Sequence, residues 1–258
     1  MISADEGLLR SLTPGTLKGQ GVFETTRIYR GEIFAWGEHY ARLCRGLETL
    51  RLKSPYSAKK ISGIIKETLD FNELNNARVR VVIWKENKVL RNAVICQPLS
   101  PQAKRFKAGV STIQHPKRST AHLKSIDYGI FQQALKQAEA WGYDEAILLN
   151  KRGELVEGAR TNIFLVKDQA LYTPPLLSGC LAGITRKIIL SLSRDKRIIT
   201  KELPLYREQL QDSDEAFLTN SILEVMPLTE VDREQIGSGK IGPLTKILSQ
   251  MYRGLVKA

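Results

Sequence analysis

Between residues 122 and 186 the chain carries an order of residues that restricts its possible folds more than any bulk property does. His122-Leu123-Lys124-Ser125-Ile126-Asp127-Tyr128-Gly129 comes first. Behind Lys124, the residues Ile130, Phe131, Leu135 and Ala138 recur near helical spacing, and Gly142 closes that helix. Three short apolar runs follow, Ala146 to Leu149, Glu154 to Val156 and Asn162 to Val166, with Lys151-Arg152-Gly153 and Lys167-Asp168-Gln169 as breakers. This pattern predicts a meander of antiparallel strands. Gly183-Ile184-Thr185-Arg186 then opens another helix. An amine, a carboxylate at a strand end and the backbone N–H groups of a helix start are the parts needed to hold an aldehyde cofactor that carries a phosphate.

Elsewhere the pattern is mixed. Residues 20 to 34 read as two strands joined at Tyr29-Arg30-Gly31, with Val22, Thr26 and Ile28 alternating against Phe23, Thr25 and Arg27. Gly37 to Leu50 predicts a helix with Tyr40, Leu43, Leu47 and Leu50 as its apolar stripe and Arg42 off that stripe beside His39. A helix from Ser57 to Leu69, with Ser57 as N-cap, and strands at Val79 to Trp84 and Ala93 to Cys96 complete a small N-terminal α/β domain, residues 1–100. Pro98 and Pro101 mark a linker. A larger domain, residues 101–258, is expected to hold a strand at Val110 to His115, the Lys124 stretch, a helix from Gly183 to Ser193, strands at Ile198 to Leu203 and Glu215 to Thr219, and a helix from Leu244 to Leu255.

Bulk properties exclude several classes. With 42% hydrophobic residues the chain can bury a substantial core. No run approaches the roughly 18 apolar residues of a membrane span, and the first residues lack a signal-peptide pattern, which reads as cytoplasmic. Three scattered cysteines suggest neither a disulfide framework nor a metal site. The net charge of +12 would suit nucleic acid, but the basic residues are scattered, as at Lys59-Lys60 and Lys117-Arg118, and lack interleaved aromatics. A solvated basic surface is the favoured reading. A basic nucleic-acid-binding protein without catalysis stays as the rival from another class.

The stretch resembles the class IV pyridoxal-phosphate enzymes (fold type IV), which include branched-chain and D-amino-acid aminotransferases and aminodeoxychorismate lyase. The residues that carry the resemblance are Lys124 in LKSIDY, Glu157 in EGARTNIF and Gly183 to Arg186, with GQGVFETTRIY and HYARL upstream and TNSILEVMP downstream, from Gly19 to Pro227. It implies an α+β, two-domain, D-amino-acid-aminotransferase-like fold whose larger C-terminal domain has an antiparallel-rich sheet and the catalytic lysine. It also implies pyridoxal 5'-phosphate as cofactor, no metal, an amino-acid-like substrate with a carboxylate, and a homodimer with its active site between the domains.

The resemblance assigns roles residue by residue. Lys124 would bond the cofactor aldehyde and move the α-proton; Glu157 would face the pyridine nitrogen. Ile184, Thr185, Ser221 and Arg42 would hold the phosphate, with Asn220 and Tyr128 beside the cofactor. Arg80 in ARVRVV would take the substrate carboxylate, although Arg78 lies on the same side of the strand; Arg27 and Arg160 are further substrate contacts. Thr25 in FETTR, the TNSILEVMP segment and the short chain point to the lyase, which releases pyruvate and 4-aminobenzoate for folate synthesis. The alternative is a branched-chain or D-amino-acid aminotransferase using 2-oxoglutarate.

Overall fold

The computed structural model describes residues 11–116 and 123–257; His122 and the Lys117-Arg118 pair lie outside the described residues. Two compact units form, Met1–Pro101 with His122–Gly129, and Gln102–Ala121 with Ile130–Ala258. Lys124, expected in the second domain, therefore belongs to the first unit. The cause is backbone pairing: Phe23 N–H donates to the Lys124 carbonyl (2.9 Å) and Ile126 N–H to the Gly21 carbonyl (3.0 Å), with a bridge between Val22 and Ser125.

The first unit is a four-stranded antiparallel sheet in the order β2-β1-β3-β4, made of β1 (Gln20–Tyr29), β2 (Glu32–Ile33), β3 (Ala77–Glu86) and β4 (Val89–Pro98). Arg30 and Gly31, with φ of 52° and 82°, make the left-handed turn that joins β1 to β2. Side chains alternate across β1. Val22 and Ile28 pack with Val79, Val81 and Ile83 against two helices, α1 (Trp36–Thr49) and α2 (Ala58–Phe71), through Leu43, Leu47, Ile61 and Ile65. The expected stripe of α1 needs one correction: Arg42 and His39 do not lie off the buried face but are themselves buried, because Glu24 on β1 faces them.

The second unit holds a nine-stranded mixed sheet. Its strands are β5 (Phe106–Val110), β6 (Glu145–Leu149), β7 (Leu155–Gly158), β8 (Asn162–Lys167), β9 (Ala170–Thr173), β10 (Thr200–Glu202), β11 (Glu215–Asn220), β12 (Glu224–Val231) and β13 (Glu234–Gln235). Their order is β10-β9-β8-β11-β12-β5-β6-β7, with β13 on β12. The pairs β12–β5, β5–β6 and β9–β10 are parallel; the other five are antiparallel. Helices α3 (Gly129–Ala140), α4 (Ile184–Asp195), α5 (Arg207–Gln211) and α6 (Pro243–Lys257) complete it. Ile147, Leu155, Ile163, Leu165, Leu218 and Leu228 form the centre of its core.

Several expectations change here. The three runs after Gly142 do not make one meander: β6 pairs with β7, but β8 pairs with β9 and β11. Strand β5 ends at Val110 instead of spanning Val110 to His115. Ile130 is exposed, and Phe131, Ala134 and Ala138 form the buried side of α3. Strand β12 had no counterpart in the sequence reading.

Ser57 accepts a hydrogen bond from Lys60 N–H at 3.2 Å and caps α2. Replacing Ser57 with Ala should cost about 1 kcal/mol. Thermal unfolding followed by circular dichroism should show a Tm a few degrees lower; an unchanged Tm would remove the cap from the account.

Candidate active site

In the first unit the residues follow from the β1–β3 register. Arg27 stands opposite Arg78, Thr25 opposite Arg80 and Phe23 opposite Val82, so these side chains share the face turned away from α1 and α2. Leu12, Leu17 and Ile126 pack on that face around Phe23, Val82 and Trp84. The Lys124 amine lies 4.5 Å from the centre of the Phe23 ring and 5.9 Å from that of Tyr128, and the two rings meet edge to face at 5.5 Å.

Three guanidinium groups on one face oppose each other. Arg27 lies over the Tyr29 ring at 4.6 Å. Arg80 is buried, with one Nη 3.5 Å from the Thr13 hydroxyl and no partner on Nε among the described residues. Burial and the neighbouring Arg78 charge push Arg80 down to about 10. Like charges directly opposite on a sheet are unfavourable, so this face is shaped for an anion.

On the other face of β1, Glu24 is 1% exposed and receives Arg42 Nε and Nη2, both at 2.7 Å, and a contact from His39 Nδ1 at 2.8 Å. Burial alone would raise the Glu24 pKa, but the charge and hydrogen bonds of Arg42, aided by His39, hold it down at about 2. Burial lowers His39, against the pull of Glu24, and the Arg42 and Lys124 charges add to the lowering. Arg42 is thus fixed in direction by a carboxylate that sequence reading did not single out.

In the second unit, Glu157 is buried at the middle of β7. His115 Nε2 lies 3.0 Å from one of its oxygens, and Leu181 N–H donates to the other at 2.8 Å. Helix α4 starts at Gly183, no side chain caps it, and Ile184 and Thr185 are buried in its first turn. Asn162 donates to the Leu181 carbonyl, and a Cβ on Gly183 would displace the Asn162 side-chain oxygen. Directly across from Asn162, Thr219 has a buried hydroxyl without a partner among the described residues. An uncapped helix start beside such a hydroxyl suits a phosphate.

Two expected site residues are used structurally. The Asn220 side chain accepts from Ile222 and Leu223 N–H and donates to the Arg160 carbonyl, so it shapes the turn after β11. Arg160 donates to the Asp144 carbonyl at 2.7 Å and lies 3.7 Å from Glu145. Ser221 is half-buried in the turn. Sequence reading missed Glu24, His115 and Thr219; Glu24 and Thr219 stand within the motifs GQGVFETTRIY and TNSILEVMP, and His115 stands in none.

Residues 21–231 match the protein family described as Amino-transferase class IV, and the chain belongs to that family. Its cofactor is pyridoxal phosphate, which the buried carboxylate, the amine and the open helix start fit. A putative branched-chain-amino-acid aminotransferase of Methanocaldococcus jannaschii is 31% identical, over 93% of this chain and 88% of that protein. D-alanine aminotransferase of Staphylococcus haemolyticus is 27% identical, over 95% and 91%. Among solved structures, the Escherichia coli branched-chain amino acid aminotransferase aligns with a TM-score of 0.87 at 29% identity, covering 95% of this chain and 88% of that one. A second branched-chain enzyme, solved with pyridoxamine 5'-phosphate, aligns with a TM-score of 0.87 at 26% identity, with coverage of 95% and 88%.

These relatives favour the aminotransferase alternative over the lyase. The signals that pointed to the lyase have structural uses: Thr25 is the cross-strand partner of Arg80, and Asn220 closes a turn. No helix among the described residues is long and apolar enough to cross a membrane, and no group of His, Cys, Asp and Glu among them is placed to hold a metal.

Glu24 and His39 both have folded pKa values below their ordinary 4.5 and 6.5. Each therefore contributes stability above its ordinary value that is lost as pH falls towards the folded one. Glu24→Gln should destabilise by about 3–5 kcal/mol at neutral pH, because Arg42 stays buried without its partner. The Tm gap between wild type and variant should narrow as pH falls from 4.5 towards 2; a constant gap would contradict the ion pair.

Proposed function

We propose that this enzyme is an aminotransferase that passes the amino group of a small apolar amino acid to a dicarboxylic 2-oxo acid such as 2-oxoglutarate. The observation that carries the reading is the arginine face of β1 and β3, set beside an amine flanked by two aromatic rings. The names of the relatives support the same outcome, since branched-chain amino acids and D-alanine are both small apolar donors.

Pyridoxal phosphate, when bound, supplies a ring that draws electrons from the substrate α-carbon. Glu157, fixed by Leu181 N–H and His115, would hold that ring at its nitrogen. In the second unit the first turn of α4, with Thr219 and Ser221, would hold the phosphate; in the first unit Glu24 aims Arg42, a cation suited to an anion. Lys124 would take and hold the proton of the substrate α-carbon. Phe23 and Tyr128 keep water from the amine and meet an apolar side chain. Arg80 takes a carboxylate of the oxo acid with its planar fork, and Arg27 and Arg78 add positive field. The enzyme works as a homodimer, which light scattering would check.

Cofactor-loaded protein given a branched-chain L-amino acid or D-alanine with 2-oxoglutarate should form glutamate. Pyruvate and 4-aminobenzoate made from aminodeoxychorismate without an oxo acid would replace this reading with the lyase. Lys124→Ala should reduce turnover to background while the circular dichroism spectrum is retained. Arg80→Met should raise KM for 2-oxoglutarate by roughly tenfold or more, the order of one charge-assisted hydrogen bond. An unchanged KM would move the carboxylate site elsewhere.

A further inference from the structure

The side chain behind Glu157 is outside every motif that identifies the family. His115 lies beyond the end of β5, where backbone hydrogen bonds and a ring contact hold it. Ser111 N–H donates to the Ile147 carbonyl and His115 N–H to the Leu149 carbonyl, both at 2.8 Å, so this segment runs along β6 after the ladder of β5 has ended. The ring packs edge-on against Phe131 with centroids 5.3 Å apart. Opposite its Nδ1 is Gly179, whose φ of +112° favours glycine; a Cβ there would come to 3.6 Å from Nδ1. The side chain is 1% exposed.

The Nε2 of this ring lies 3.0 Å from Glu157 Oε1. The other carboxylate oxygen already takes Leu181 N–H. A carboxylate accepts and cannot donate, so Nε2 carries the hydrogen in this contact. Glu157, 4% exposed at its side chain, thus has a donor on each oxygen. Losing either donor would loosen the hold on the direction of the carboxylate.

We propose that His115 is a positioning residue for the cofactor ring: through Glu157 it fixes the carboxylate that meets the pyridine nitrogen. The inference rests on the assignment of Glu157 to that nitrogen. His115 touches neither the reacting atoms nor the phosphate in this account, so its influence must pass through one atom of the ring. The expanse between the two residues in sequence, from 115 to 157, explains why no motif joins them.

The test uses two aldehydes, pyridoxal phosphate and the analogue with C–H in place of the ring nitrogen, titrated into the apoprotein by fluorescence and by the visible absorbance of the bound form. His115→Phe keeps the ring volume but removes the donor; His115→Gln returns an N–H near Nε2. His115→Phe should weaken pyridoxal phosphate roughly tenfold, the order of one hydrogen bond to a charged group, and the analogue less than about twofold. His115→Gln should recover most of the loss. Equal weakening of both aldehydes would mean that His115 serves only the fold, and no weakening of either would mean that Leu181 N–H suffices; both overturn the proposal. If His115→Phe does not fold, His115→Leu, which also lacks the donor, takes its place with the same expected selective weakening of pyridoxal phosphate. Wild type that prefers pyridoxal phosphate no more than the analogue would instead overturn the role of Glu157, and this inference with it.

Discussion

A carboxylate without water stands at the base of the first unit. Glu24 is buried between β1 and α1, and a lone buried charge costs several kcal/mol unless it is paired and fully hydrogen-bonded. Arg42 and His39 meet that demand from two positions on one helix, three residues apart, which is the spacing that puts them on the same side of α1. The helix is docked on the sheet by this polar contact as well as by Leu43 and Leu47. Because side chains alternate along a strand, the backbone that turns Glu24 inward also turns Phe23 and Thr25 outward. A slip of one residue in the β1–β3 ladder would exchange the ion pair with the arginine face, so the register that satisfies Glu24 also sets the chemistry on the opposite side.

The elements were legible where local pattern and burial agree. Strands β1 and β3 alternate or are continuously apolar, α2 has a serine cap, and α6 and α4 carry clear apolar stripes; all form near where the sequence puts them. Local pattern failed where partners are distant. Nothing in Asn162 to Val166 says that β8 will leave its sequence neighbour β7 and pair with β11, more than fifty positions on. The polar face of α1 was misread for the same reason: Arg42 looks solvated until Glu24 is seen opposite it.

The site shows a similar division. Lys124, Glu157 and the α4 start were legible because each lies in a quoted motif. Their supports were not. His115, Glu24 and Thr219 act through contacts across the sheet or between strand and helix, and each alone is an ordinary polar residue. Asn220 and Arg160 also lie within a motif, and their side chains hold a turn and the Asp144 carbonyl. The lyase expectation rests on Thr25, the TNSILEVMP segment and the short chain, whereas the relatives favour the aminotransferase alternative.

The path of the chain has a consequence for how the protein is made. The first unit takes residues up to Pro101 and then receives His122–Gly129 only after a detour through the second. The bridge between Val22 and Ser125 joins positions about a hundred residues apart. On a ribosome the N-terminal sheet therefore lacks its partners for Gly21, Val22 and Phe23 until residues 124–126 have emerged. The lysine arrives as the last piece of the older structure, and no cut at a single peptide bond separates one unit whole from the other.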